Sequence, residues 1–211
     1  MVKPLYLLAA LACTALIVMA VPSMKNAAYA AAPNAQEEKI IAFVSDMSNA
    51  GLEFLGNNKL SEAQKKKRFK DLLDTHFDIK TIAQFALGIH WRNISDNEKK
   101  EYIDLFENMV VNIYARRFGD YKGQEIVVKT ANKRGKRDFI VSSTILPPKG
   151  ENGPEVSLDW RVRNRNGSLK IIDISVEGTS MIITQRADFS AVIQKGNGDI
   201  EFLLAELRKS E

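Results

Sequence analysis

The chain reads as an α+β protein, a helical first half packed on an antiparallel sheet of about four strands and followed by C-terminal helices. Three observations predict this. Residues up to about 119 carry apolar side chains at three- and four-residue steps behind N-capping signals; residues 124–177 alternate apolar and polar; and the helical period returns after Gly178. With 45% hydrophobic and 27% charged residues in 211, the composition is that of an ordinary globular protein with one domain or two small lobes.

Asn34 with Glu37 is a capping pair that opens a first helix, with Ile40, Val44, Met47, Leu52 and Leu55 as its buried stripe and Gly56 as its stop. Ser61 with Gln64 opens a second, ending near His76. A third runs from Asp78 to Leu87, broken by Gly88. Ser95 with Glu98 begins a long helix to about Phe118, with Tyr102, Phe106, Met109, Val110, Ile113 and Tyr114 inward and Gly119 as its end.

Ile126 and Val128, then Phe139, Val141, Ser143 and Ile145, predict two strands joined by a basic loop around Gly135. Pro147, Pro148, Gly150, Gly153 and Pro154 mark a connection. Val156, Leu158, Trp160 and Val162 alternate with Ser157, Asp159, Arg161 and Arg163, Asn166-Gly167 favours a tight turn, and Leu169 to Val176 returns as the next strand. Met181, Ile182, Thr184, Phe189, Val192 and Ile193 then mark a helix ending near Gly196, and Asp199 caps a last one with Ile200, Leu203, Leu204 and Leu207 inward.

Ahead of the folded part, Lys3, the apolar run Leu5 to Val21 and Ala28-Tyr29-Ala30 predict a signal peptide cleaved after Ala30. The alternative is an uncleaved anchor, since a run of about 17 residues nearly reaches the span of a bilayer. Cys13, the only cysteine, then falls in the leader, which leaves a mature chain without disulfides, thiolate metal sites or cysteine nucleophiles. Without Lys3 and Lys25, 28 basic residues face 26 acidic ones, a net charge of +2. The basic runs Lys65-Lys66-Lys67-Arg68-Lys70 and Lys133-Arg134-Gly135-Lys136-Arg137 are solvated charge on the plain reading, or docking points for an acidic partner or an anionic membrane; export argues against nucleic acid.

Signals of catalysis are weak. His76 and His90 are the only histidines and lack helical metal-pair spacing, no G-x-S-x-G elbow or phosphate-binding loop occurs, and Ser180 has no histidine near it in sequence. Asp159, Asp173 and Glu177 are expected to pair with Arg161, Arg163 or Lys170 and not to act as an acid–base set, and Arg186 to pair with Glu177 or Asp173. No cofactor or metal is called for.

Two blocks resemble the MlaC family of periplasmic phospholipid-binding proteins, also described as toluene-tolerance or ABC-transporter auxiliary proteins. One holds Asp159-Trp160-Arg161-Val162, Gly167, Lys170-Ile171, Asp173, Val176-Glu177-Gly178, Ser180-Met181, Thr184-Gln185-Arg186 and Phe189. The other holds Phe77, Ile82-Ala83, Phe85, Leu87-Gly88 and Trp91, then Tyr114-Ala115, Arg117-Phe118, Tyr121 and Gly123. The resemblance implies a monomeric, non-enzymatic carrier that shuttles phospholipid between an outer-membrane lipoprotein complex and an inner-membrane ABC transporter, maintaining outer-membrane lipid asymmetry.

It further implies acyl chains held between helices and sheet. Candidate walls are Trp91, Phe106, Val110, Tyr114 and Phe118 from the first half, with Val141, Ile145, Trp160, Ile172, Ile174, Met181 and Phe189 from the second. The same apolar residues would equally make a solid core. A carrier of hopanoid or another polycyclic lipid is the nearest alternative, against which the segment Glu177 to Met181 speaks. A small hydrolase or isomerase on a nuclear-transport-factor-like cone fold is the alternative of another class.

Overall fold

Each capping pair read in the sequence closes a helix start in the computed structural model, which describes residues 32–209. The expected leader, its expected cleavage point after Ala30 and Cys13 lie outside the described residues. Helix α1 (Ala35–Gly56) starts at Asn34, α2 (Glu62–His76) at Ser61, and α4 (Asp96–Ala115) at Ser95; in all three the cap side chain and the residue three positions on satisfy each other's backbone N–H groups. Helix α3 (Ile79–Leu87) starts at Asp78, whose carboxylate accepts from the Thr81 N–H and hydroxyl, and stops where Gly88 takes a positive φ of 62°.

The sheet is a five-stranded antiparallel meander in sequence order: β1 (Glu125–Arg134), β2 (Asp138–Leu146), β3 (Val156–Arg165), β4 (Ser168–Val176) and β5 (Thr179–Ser180). The fifth strand is a correction. The sequence predicts a sheet of about four strands with the helical period returning after Gly178, but Glu177 and Gly178 both take positive φ and form a two-residue turn that pairs Ser180 with Ser175 before the helix begins. Helices α5 (Met181–Lys195) and α6 (Ile200–Arg208) follow, capped by Ser180 and Asp199.

Two bulges change which side chains share a face. Lys129 is the extra residue where Val128 and Thr130 face Ser143 and Ser142, and Ile172 the extra one where Arg161 and Val162 face Asp173 and Ile171. As a result Ile171 and Ile174, three apart, lie on the same side as Trp160 and Val162.

Apolar burial divides in two. Helix α1 places Ile40, Val44 and Met47 against Ala131, Phe139, Val141, Leu158, Trp160, Val162 and Ile171 of the sheet. The other cluster is entirely helical, joining α3, α4, α5 and α6 through Leu87, Tyr102, Phe106, Phe189, Ile193 and Leu204 among others. The helical layer is attached along β4, where the Asp78 N–H donates to the Ile171 carbonyl at 3.0 Å and Asp173 accepts from the Ser180 hydroxyl and the Ile182 N–H.

Several local expectations change. Phe54, not Leu52 or Leu55, is the fully buried residue in the last turns of α1. Helix α4 ends at Ala115, and a short 3₁₀ turn at Phe118–Asp120 follows; Ile113 and Tyr114 are partly exposed while Leu105 and Val111 are buried. Lys133 and Arg134 belong to β1, so the basic turn itself is short.

Candidate functional site

The twelve predicted wall residues fall into separate groups. Val141, Ile145, Trp160 and Ile174 share the layer between α1 and the sheet, with Ile40, Val44 and Met47 opposite them. Alternation along β2 and β3 points these side chains inward, and the indole of Trp160 is fixed by a hydrogen bond from Nε1 to the Ser143 hydroxyl at 2.9 Å, which itself donates to the Leu158 carbonyl.

Phe106, Phe189, Val110 and Trp91 belong instead to the helical cluster. The rings of Phe106 and Phe189 meet edge to face at 6.2 Å, and both pack on Tyr102, whose hydroxyl donates to the Ala83 carbonyl; full burial raises that phenol well above its ordinary value. Trp91 leans on Tyr102 with the Lys99 ammonium 5.7 Å from its ring.

Tyr114 and Phe118 form a third group with Phe69 of α2 and Phe54 of α1, a seam of rings 5.5 to 6.1 Å apart. Ile172 is buried on its bulge but belongs to neither cluster, and Met181 is a half-buried first residue of α5. Sequence reasoning named Ile40, Val44 and Met47 as a buried stripe without recognising them as the wall facing Trp160. No periodicity signal says which sheet face a helix stripe will meet.

The polar groups are arranged differently from expectation. Asp138, not Asp159, takes Arg161 and Arg163, at 2.6 and 2.8 Å. The Arg163 hydrogen bond chiefly holds the Asp138 carboxyl below its usual range; burial works against that and Arg161 assists. Asp159 accepts from the Ser142 hydroxyl. Arg186 reaches neither Glu177 nor Asp173: its Nε donates to the Phe85 carbonyl at 2.8 Å, and its side chain lies so close to Gly88 that a Cβ there would meet it at 2.9 Å. Lys170 donates to the carbonyls of Asp74 and Thr75.

How α1 is held differs from how the helices hold one another. Among the described residues, no hydrogen bond or ion pair joins α1 to the sheet; its polar tie is to α2, where Lys65 donates to the Leu55 carbonyl. The Ser48 hydroxyl of α1 is buried without a partner among the described residues. Open grooves among the described residues include one of about 460 Å³ between α2 and α4 lined by Lys66, Lys67, Lys70 and Asn108 among others, and another of about 430 Å³ beside Asp78, Arg163, Arg165 and Lys170. None of the twelve wall residues lines either. Among the described residues no cluster of His, Cys, Asp and Glu could hold a metal ion, and no helix is long and apolar enough to cross a membrane.

Comparison with known sequences places this arrangement. The sequence model described as MlaC protein matches residues 45–209, from the middle of α1 to the end of α6. The chain belongs to the MlaC family. This MlaC-family chain is 22% identical over 126 residues to the intermembrane phospholipid transport system binding protein MlaC of Haemophilus influenzae. That match covers 59% of the chain and 58% of the relative, so the likeness spans under two thirds of the relative's length. A solved structure of a phospholipid-binding protein from Ralstonia solanacearum, in complex with a phospholipid, has the same fold: TM-score 0.67, 24% identity, 80% of this chain and 94% of that one.

Proposed function

We propose that this MlaC-family chain is a periplasmic, monomeric carrier of phospholipid that performs no chemistry, and that the acyl chains lie between α1 and the sheet. The observation that carries the placement is that, among the described residues, α1 meets the sheet through apolar contacts alone. Apolar contacts have no directional requirement, so Ile40, Val44 and Met47 can exchange the sheet face for hydrocarbon without leaving a broken hydrogen bond behind. Methionine adapts to irregular, mobile chains.

The energetic demand fits such a slot. Each methylene kept out of water is worth about 0.8 kcal/mol, so a sixteen-carbon tail resists aqueous transfer by something on the order of 10 kcal/mol. A carrier must supply that burial itself. The names of the relatives, the apolar leader with its Ala28-Tyr29-Ala30 site and the family membership support the reading. In it the carrier moves lipid between an outer-membrane lipoprotein complex and an inner-membrane ABC transporter, and so maintains lipid asymmetry. Release requires that docking on either complex weaken the hold on lipid, because equal affinity in free and docked states moves nothing.

The test is native mass spectrometry of protein isolated from envelope extracts, followed by lipid extraction. Diacyl phospholipid at one molecule per chain is the expected result. A polycyclic lipid in its place, or protein persistently free of lipid, contradicts the reading.

A further inference from the structure

The tip of the β1–β2 hairpin carries Lys133 and Arg134 at the end of β1 and Lys136 and Arg137 in the turn after Gly135, all four exposed. The nearest acid in sequence, Asp138, cannot neutralise them, because both of its oxygens are engaged by Arg161 and Arg163. Among the described residues, no hydrogen bond or ion pair of the four side chains to any acid is present. The β3–β4 turn lies at the same end of the sheet, tied by the Asn164 N–H to the Arg137 carbonyl at 2.8 Å; its Arg165 is engaged with Asp78 at 3.3 Å, so the unpaired charge at this end is that of the four.

The opposite end of the sheet is mixed in charge: Glu151, Glu155 and Glu177 are exposed there, but so are Lys122 and Lys149, the latter paired with Glu125. A mature chain whose overall charge is nearly balanced therefore concentrates unpaired positive charge at one end of its sheet. An anionic surface would attract that end before any other part of the sheet, which fixes an approach direction as well as a contact.

We propose that the cationic end of the sheet docks on the surface of a membrane containing anionic phospholipid. The composition of the tip selects a lipid surface over a protein: from Asn132 to Asp138 there is no apolar side chain, whereas the centre of a protein interface needs apolar or aromatic anchors and is depleted of lysine. A charged lipid surface needs no shape complementarity. It attracts each nearby lysine or arginine by about 1 kcal/mol and acts within about a Debye length. The proposal rests on the carrier reading in one respect, that such a protein must approach membranes to exchange its cargo.

The experiment is co-sedimentation of protein purified from the envelope with vesicles of phosphatidylcholine alone or mixed with phosphatidylglycerol, at low and high salt. Binding is expected only with phosphatidylglycerol, and only at low salt. The double variant Lys136→Ser/Arg137→Ser, altered at exposed turn positions, should bind the anionic vesicles about 30-fold more weakly, two cations at about 1 kcal/mol each. Equal binding to both vesicle types, or an unaffected variant, overturns the proposal. So does an absence of vesicle binding combined with salt-sensitive binding of the same turn to a purified acidic protein domain. Native mass spectrometry of the same samples reports lipid cargo independently, so a failed docking site and a failed carrier assignment are told apart.

Discussion

The two apolar clusters are similar in extent and opposite in construction. In the helical one, rings interlock and polar clasps hold the helices in place: Tyr102 to the Ala83 carbonyl, Arg186 to the Phe85 carbonyl, and Arg208 to Glu101. In the other, α1 lies on the sheet through Ile40, Val44 and Met47, and among the described residues no polar clasp ties it to the sheet. Directional bonds set one geometry, so the helical cluster behaves as a core. Apolar contacts alone allow separation and refilling, which is why the α1–sheet layer is the proposed place for a greasy ligand.

The comparison is broken most easily from the helical side. Phe106→Ala removes a ring packed on both Tyr102 and Phe189 and is expected to lower stability by about 3 to 5 kcal/mol. Urea unfolding measures the loss. Lipid bound per folded molecule should stay unchanged, and a selective fall in lipid content would show that the helical cluster lines the ligand.

Asp138→Asn tests whether the sheet itself is the rigid wall. Its two charge-assisted contacts hold β2 to β3, and their loss is expected to cost about 2 kcal/mol at neutral pH. The sign with pH follows from a folded carboxyl held below its unfolded value of about 3.9. The stabilisation is complete above that value and disappears as pH falls through the lower folded one, so wild type and variant should converge in acid. Unfolding curves at several pH values check this, and a constant gap down to strong acid would contradict it.

The smallest effect is expected at Ser48. Replacing its unpartnered buried hydroxyl by Ser48→Ala should raise stability by about 1 kcal/mol, since a lost hydrogen bond is not at stake and alanine favours the helix. A thermal melt that shows destabilisation instead would mean that the hydroxyl has a partner in solution.

Much of the fold was legible because its signals are local. The three capping boxes, the Asn166-Gly167 turn and the apolar stripe of α6 all depend on residues within a few positions of one another. The site was less legible because it depends on pairing between distant elements. Ile171 and Ile172 are both apolar, so nothing in the pattern shows that Ile172 is the bulged residue and that Ile174 therefore returns to the Trp160 side. Likewise the stripes of α1 and α4 look equivalent in sequence, yet only α1 meets the sheet face bearing Val141 and Trp160. Glu177 at positive φ hid the extra turn, because glutamate carries no signal for that conformation.

The most direct test of the α1–sheet slot uses a photoactivatable diazirine residue of aliphatic size. It would be placed singly at Ile41 or Ile145 in the sheet-side layer and at Val110 or Val192 in the helical cluster, four half-buried positions that tolerate small changes of shape. After irradiation of protein loaded in the envelope, mass spectrometry should find phospholipid adducts at Ile41 and Ile145 and none at Val110 or Val192. Adducts confined to Val110 and Val192 would contradict the account.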